Sequence, residues 1–492
     1  MTQNAQSASE RQFAAAADPD GVFIRQMDAL LARASTAPRA RRDWRAQPLR
    51  PLLLGYTGKG NVGADIRVRE MVRQMQTVFG HAGFDPRIVV MGKVPLDPVL
   101  DALAKTPFDG YFPDFIAPRL AGLDGVIACE GSMFTSKFSD ILSATFAGAI
   151  GLSARQGRLA VAYGAESGRM SERLQAFVAR ACDRGLIVAR SRTTHDQLRA
   201  LGVPSRLGAD TAWTFDPGDD ALAGARDTLR AQGWDGRKPL AVVCPMNPFC
   251  WPIRVDFAKA RELAEAGLHA DLHYDGVLFH TTSEAADAAF AGYLDTLAAT
   301  IAHLRATGRF PVLVAMEKLD GRTCARLNAI VREPLPAFVS GEWPAASIVA
   351  LLHNASLVVT SRFHAAVLSL NAGVTTIGIA LDERIRNLFT ENGLRDWFFA
   401  CDDARLTDAL IGAVDASAGA DLRAACDGLV ARQIQAMGSM GLRLHDEVVR
   451  VFPDFPPSPL PRQWRAFLPP LSARLQRVLD EADARAAGER AA

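Results

Sequence analysis

The sequence is short of the features that mark the most easily read protein classes. Across its 492 residues the formal net charge is only +1. That leaves no global field of one sign and argues against a protein devoted to nucleic acid or to an anionic membrane. No apolar run approaches the ~18 residues of a membrane span. The start, MTQNAQSASERQ, lacks the apolar core of a signal peptide. The expectation is therefore a cytoplasmic protein, at most peripheral at the inner face of the membrane. The cysteines number seven, an odd count with no CxxC pair, so reduced buried thiols are expected rather than a disulfide frame. The nine histidines form no HExxH or HxH pattern, and His269, His273 and His280 lie too near a loop to be assigned as ligands. No metal site is expected. No GxSxG elbow and no kinase signature set is present.

What is present is material for a core. Hydrophobic residues make up 49% and charged residues 22% of the chain, the balance of a packed globular protein. The length suggests two domains plus extensions. Short apolar runs alternate with longer amphipathic stretches, the pattern of parallel strands crossed by helices. The first series of runs is Leu52–Tyr56, Ile88–Met91, Gly125–Cys129, Leu159–Tyr163 and Leu186–Ala189. Helices are expected at Ser171–Cys182 and Thr193–Leu201. A stretch rich in Asp, Gly, Ala and Arg around 216–238 reads as a bridge holding one helix near Ala221–Gln232. A second series follows at Leu240–Cys244, Val312–Ala315, Leu357–Thr360 and Thr376–Ile379, with a helix at Glu284–Thr307. The expected architecture is α/β: two Rossmann-like domains facing across a cleft, at 51–220 and 221–455. Residues 1–50 read as a helical and basic extension. Its Phe23–Leu31 has helical spacing, Arg39–Arg45 reads as a solvated basic linker, and residues 1–45 are expected to be dispensable for folding. Residues 456–492 read as a proline-rich segment and a polar final helix near Ser472–Ala486.

In open α/β sheets ligands bind beyond the carboxyl ends of the strands, so motifs at strand ends carry the functional weight. GYTGKGNVGAD, Gly55 to Asp65, follows the first run. Its glycines allow a tight bend and its amides favour an anion or a polar group. The alternative is a plain turn with Asp65 as helix cap. The spacing is neither GxGxxG nor a Walker loop. CEGSMFTSKF, Cys129 to Phe138, places Glu130 and Ser132 at the cleft and Lys137 on the surface. AYGAESG, Ala162 to Gly168, carries Glu166, either a ligand for a hydroxyl or a solvated loop carboxylate. Arg190 ends a further strand, facing an anion or paired with a carboxylate such as Asp210. The most informative segment is Val358 to Phe389, where an apolar strand ends in Ser361-Arg362-Phe363-His364. Arg362 offers planar bidentate binding to a carboxylate or phosphate. His364 is suited to proton transfer near neutral pH. Asp382 and Arg384 follow the next strand and should face the same cleft. Gly55–Asp65 and Ser361–His364 should meet across it.

Taken in order over residues 52 to 395, these segments resemble the polysaccharide pyruvyl transferase family. The matches are Gly58, Asn61, Gly63 and Asp65; then Arg190, Leu201, Gly202 and Asp210; then Arg362, His364 and Ala365 in an RxHA motif. The sequence departs from the family pattern at Ala64, which separates Gly63 from Asp65, at Glu130-Gly131 and at Ser191. The resemblance implies a glycosyltransferase-B-like fold. It implies phosphoenolpyruvate as co-substrate, a saccharide or lipid-linked saccharide as acceptor, and no further cofactor. Carried onto this chain, it makes His364 and Arg362 the catalytic pair. Arg190, Arg362 and Ser361 become the donor contacts, and Asn61, Asp65, Glu130 and Glu166 the acceptor contacts. Two other readings of the same fold are a glycosyltransferase using a nucleotide sugar, with Glu166 or Glu342 on the ribose, and a non-catalytic carbohydrate-binding relative.

Overall fold

The computed structural model describes residues 16–36, 42–108, 113–266, 277–420 and 422–491. Its framework is two parallel sheets. The first joins β1 (Pro51–Leu54), β2 (Arg87–Val90), β3 (Ala104–Pro107), β4 (Gly125–Ala128), β5 (Leu159–Ala165), β6 (Leu186–Ala189) and β7 (Ser205–Leu207), in the order β3-β2-β1-β4-β5-β6-β7. In the second domain β8 (Leu240–Cys244) is followed by an antiparallel hairpin, β9 (Ile253–Val255) with β10 (Leu278–His280). The second sheet then takes β11 (Phe310–Ala315), β12 (Ala337–Val339), β13 (Leu357–Thr360), β14 (Thr375–Ala380) and β15 (Phe398–Ala400), ordered β12-β11-β8-β13-β14-β15. The central strands are buried along their whole length, which is why they read as unbroken apolar runs.

All nine strands expected from the sequence are present and in the expected sheets. The missed ones are β3, β7, β12 and β15 together with the hairpin. Those four are the outermost strands of the two sheets and are three or four residues long. Three of the four residues of β3 are exposed, so it carries no apolar run to read.

Strand order reverses between β1 and β4 in the first sheet and between β8 and β13 in the second. These are the switch points at which a doubly wound sheet opens a crevice. The loops after β1, β4 and β13 are the three richest motifs of the sequence. The long helix Arg423–Val451 packs against both the helix Val62–Phe79 of the first domain and Phe363–Asn371 of the second. Gln74 donates to the carbonyls of Met437 at 2.6 Å and Phe467 at 2.9 Å, which ties the first domain to the C-terminal segment. That segment is irregular apart from the short turn Trp464–Phe467, as its prolines require. The helix after it, Ala473–Ala491, is not purely polar: Leu475, Val478 and Leu479 are buried.

The N-terminal helix corrects one expectation. Pro19–Arg33 packs on the buried helix Asp140–Arg155, with Phe23 and Met27 fully buried. Met27 fills the space that Gly148 leaves by having no side chain. Downstream, Arg42 bonds Asp124 and the carbonyl of Pro48. It is part of the packing and not a solvated linker residue, whereas residues 39–41 of that stretch lie outside the described residues. Removing the helix would uncover the whole apolar face of Asp140–Arg155. A chain lacking residues 1–35 is expected to lose cooperative melting, and Phe23→Ala to lower stability by about 3–5 kcal/mol. Urea denaturation of that variant checks it; a wild-type midpoint would show the helix to be an appendage.

Candidate active site

The glycine turn is built to meet the second domain. Asn61 caps the helix Val62–Phe79 by accepting from the Ala64 amide at 3.0 Å. Gly58 and Gly60 have φ of 79° and 75°, a conformation that glycine adopts without strain. The Val62 amide donates to the Met316 carbonyl at 2.9 Å and the Lys318 amide to Gly60 at 3.2 Å, so the turn is stitched to the segment after β11. Asp65 is not the cap. It accepts from the Gly58 amide at 3.0 Å and holds the turn closed. Burial pushes its carboxyl up to about 7, against the Gly58 hydrogen bond. A raised carboxyl pKa means the folded state binds more protons than the unfolded chain. Stability therefore falls as pH rises from the unfolded value near ~3.9 through about 7. Asp65→Asn keeps the acceptor and removes the charge. It should raise stability at pH ~8 by the order of 2–4 kcal/mol, seen as a higher melting temperature, and change it little at pH ~4. Equal effects at the two pH values would refute the assignment.

Arg362 and His364 stand at the start of the helix Phe363–Asn371, placed there by β13. Arg362 bonds Asp320 and lies 2.9 Å from Glu317, both on the segment after β11. Burial raises the Asp320 carboxyl to about 6, with Arg362 opposing the shift. His364 reaches into the first domain. A Cβ on Gly63 would fall 2.1 Å from its Nδ1, so the imidazole lies directly on the glycine turn. Its Nε2 stands 3.5 Å from Asp210 Oδ2, a charge contact rather than a hydrogen bond, and makes no hydrogen bond among the described residues. Burial lowers the His364 pKa, with Asp210 opposing.

Asp210 is the hub beneath. It accepts from Arg190 at 2.8 Å and Arg67 at 3.2 Å, and caps the turn Thr211–Thr214 through the Ala212 amide. Burial alone would raise its pKa, but His364, Arg67 and Arg190 outweigh it and hold the carboxyl well below the usual range. Arg190 also donates to Glu166 at 2.7 Å and lies 3.9 Å from the centroid of the Phe363 ring. Across the cleft Arg384 donates to Ser132 at 3.1 Å and Lys137 to Asp382 at 2.6 Å. Lys137 is thus not on the surface. Its ammonium lies 4.4 Å from the Trp251 ring centroid, and burial lowers its pKa against the pull of Asp382.

One pocket at the domain seam collects Asn61, Glu130, Arg190, Arg362, His364 and Arg384, with Trp251 in its wall. Three residues assigned to substrate from sequence are engaged elsewhere. Ser361 turns its hydroxyl to Tyr293 at 2.5 Å, 4% exposed, and does not line this pocket. Glu166 is neither solvated nor open. Ser191, Thr194 and Arg190 saturate it at 2.7 to 3.0 Å. Asp65 is bound to its own turn. Arg67, Glu317, Asp320 and Trp251 were missed. Glu317 and Asp320 follow a recognised strand, so the strand-end rule could have found them. Arg67 sits mid-helix among apolar residues and gives no such signal.

No ion-holding group of His, Cys, Asp and Glu occurs among the described residues; His269 and His273 lie outside them. No helix among the described residues is long and apolar enough to cross a membrane. The fold resembles a putative UDP-N-acetylglucosamine 2-epimerase from Listeria monocytogenes, at 12% identity and TM-score 0.51, over 84% of this chain and 99% of that one. An O-GlcNAc transferase mutant from Thermobaculum terrenum aligns at 15% identity and TM-score 0.41, over 90% and 76%. The ADP-heptose LPS heptosyltransferase II of E. coli aligns at 12% and 0.39, over 75% and 98%. The first of these supports a glycosyltransferase-B-type arrangement and nothing about substrate. No curated protein matched by sequence. The sequence model of the polysaccharide pyruvyl transferases matches residues 61–383, from the cap of the glycine turn to just past Asp382. With that span covering most of both sheets, the chain belongs to the polysaccharide pyruvyl transferase family.

Proposed function

We propose that the protein transfers the pyruvyl group of phosphoenolpyruvate to two hydroxyls of a saccharide, forming a cyclic ketal. One observation carries this reading: the seam pocket is lined by three arginines and His364 against a single carboxylate, Glu130. Such a lining suits a ligand with both a carboxylate and a phosphate. The reaction needs a proton at the methylene carbon, which becomes the methyl group. One acceptor hydroxyl then bonds to the adjacent carbon, inorganic phosphate leaves, and the second hydroxyl closes the ring. Two hydroxyl protons are released, one replacing that given to the methylene and one leaving with phosphate. Arg190, Arg362 and Arg384 would hold the anion. His364, whose Nε2 stands 3.5 Å from Asp210 and has no closer partner among the described residues, would supply the proton.

Thermal-shift titration tests the donor. Phosphoenolpyruvate should raise the melting temperature, since a ligand bound only by the folded state stabilises it. Arg362→Ala should weaken that binding roughly 10- to 150-fold, the loss of a charge-assisted contact. Stabilisation by UDP-N-acetylglucosamine and none by phosphoenolpyruvate would replace this reading with the nucleotide-sugar one.

A further inference from the structure

We propose that a second cavity, which shares Trp251 and Arg362 with the seam pocket, is the acceptor subsite and takes a neutral saccharide between Trp251 and Glu317. The proposal rests on phosphoenolpyruvate occupying the seam pocket. The first-domain residues expected to hold the acceptor are mostly consumed: Asp65 by the Gly58 amide, Asn61 by the Ala64 amide, and Glu166 by three side chains. The second cavity has no such difficulty. It shares Trp251 and Arg362 with the seam pocket, so ligands in the two would lie against the same side chains.

The linings differ in charge. The seam pocket sets three arginines against one carboxylate. The second cavity sets Arg322, Arg326 and Arg362 against Asp287, Glu317 and Asp320, three against three. The first therefore suits an anion and the second a neutral polar molecule. Glu317 makes the stronger demand. It is 2% exposed, and its Oε2 is engaged by Arg362 at 2.9 Å. Its Oε1 is buried with no hydrogen-bond partner among the described residues. A buried carboxylate oxygen left without a donor is destabilising, so a ligand hydroxyl fits there. Its backbone also bridges to Asn61, which places the carboxylate at the seam between domains. Trp251 adds a fixed apolar surface. Phe138 and His280 meet its ring at 5.0 Å between centroids, and the Lys137 ammonium lies 4.4 Å from its centroid. An apolar ring surface beside a hydroxyl acceptor matches a sugar, which has an apolar ring face and a hydroxyl edge.

Saturation-transfer NMR on the full chain tests this with methyl β-galactopyranoside, methyl α-glucopyranoside and N-acetylmannosamine. At least one sugar should receive saturation from the wild-type protein. Glu317→Gln and Trp251→Ala should weaken that sugar roughly 10-fold or more, the worth of one charge-assisted or stacked contact. Melting curves confirm that both variants are folded; if either is not, crystals of the wild type soaked in the same sugar give the position directly. No response from any sugar, wild-type affinity in both variants, or sugar density outside this cavity would overturn the proposal. A parallel phosphoenolpyruvate titration reads the donor separately. Sugar binding without donor binding would remove the proposed reaction and leave the sugar site standing.

Discussion

Replacing His364 with Asn is expected to lower turnover roughly 100- to 10,000-fold while phosphoenolpyruvate affinity stays within a few-fold. Asn keeps a polar group of similar reach and removes the titrating proton. The arginines that would hold the donor are untouched. His364 lies on the glycine turn, where a Cβ at residue 63 would overlap it, and its Nε2 has only Asp210, at 3.5 Å, near it among the described residues. Both facts suit a group held in place to give a proton rather than one that caps its own helix. The pH profile provides a second check. Burial lowers the His364 pKa in the free protein. The protonated form is the acid, so kcat/KM for the donor should fall as pH rises through a value below the ordinary ~6.5. The variant should lack that limb. In stability the sign is opposite. A lowered histidine pKa gives a contribution present above the unfolded value near ~6.5 and lost as pH falls through the folded one. Should His364→Asn melt earlier yet turn over normally per folded molecule, the residue merely packs the helix.

How far these roles were legible follows from where each residue sits. Arg362 and His364 stand at the end of a fully buried strand, and a run such as Leu357–Thr360 is visible in any reading of apolar pattern. The Arg190–Asp210 pair was open to anticipation because both residues end strands or begin turns. What could not be read was how the side chains are shared. Ser361 lies beside Arg362 in sequence but faces the opposite way, toward Tyr293 on a helix 68 residues earlier. Lys137 reads as a surface cation until Asp382, 245 residues on, is seen to close over it. Such partnerships depend on how the two sheets stand against each other, and strand periodicity says nothing of that. The N-terminal helix failed for a related reason. Its apolar stripe was visible, but the glycine that admits Met27 belongs to a helix more than a hundred residues away.

Asp210 gives the largest expected effect on stability of any residue at the site. Its carboxylate is 1% exposed and faces Arg67, Arg190 and His364 together. Arg67 has other partners in the carbonyls of Cys129 and Gly164, and Arg190 has Glu166. Both guanidiniums nevertheless lose their shared counter-charge if Asp210 goes. Asp210→Ala should therefore destabilise by about 3–5 kcal/mol, the usual consequence of leaving a buried charge unpaired. It also removes the acceptor for the Ala212 amide. Asp210→Asn keeps that acceptor and the shape, so its loss should be smaller and should separate the charge from the cap. The sign of the pH dependence follows from the lowered carboxyl pKa. The contribution is full above the unfolded value near ~3.9 and is lost as pH falls toward the folded one. Melting temperatures of wild type and Asp210→Asn should thus differ at pH ~7 and converge below pH ~4. A constant difference across that range would show that the buried charge is not what Asp210 contributes. Turnover adds the link to catalysis: with no carboxylate near Nε2, His364 is harder to protonate. Asp210→Asn should then move the alkaline limb of kcat/KM to lower pH, which a purely structural loss would not do.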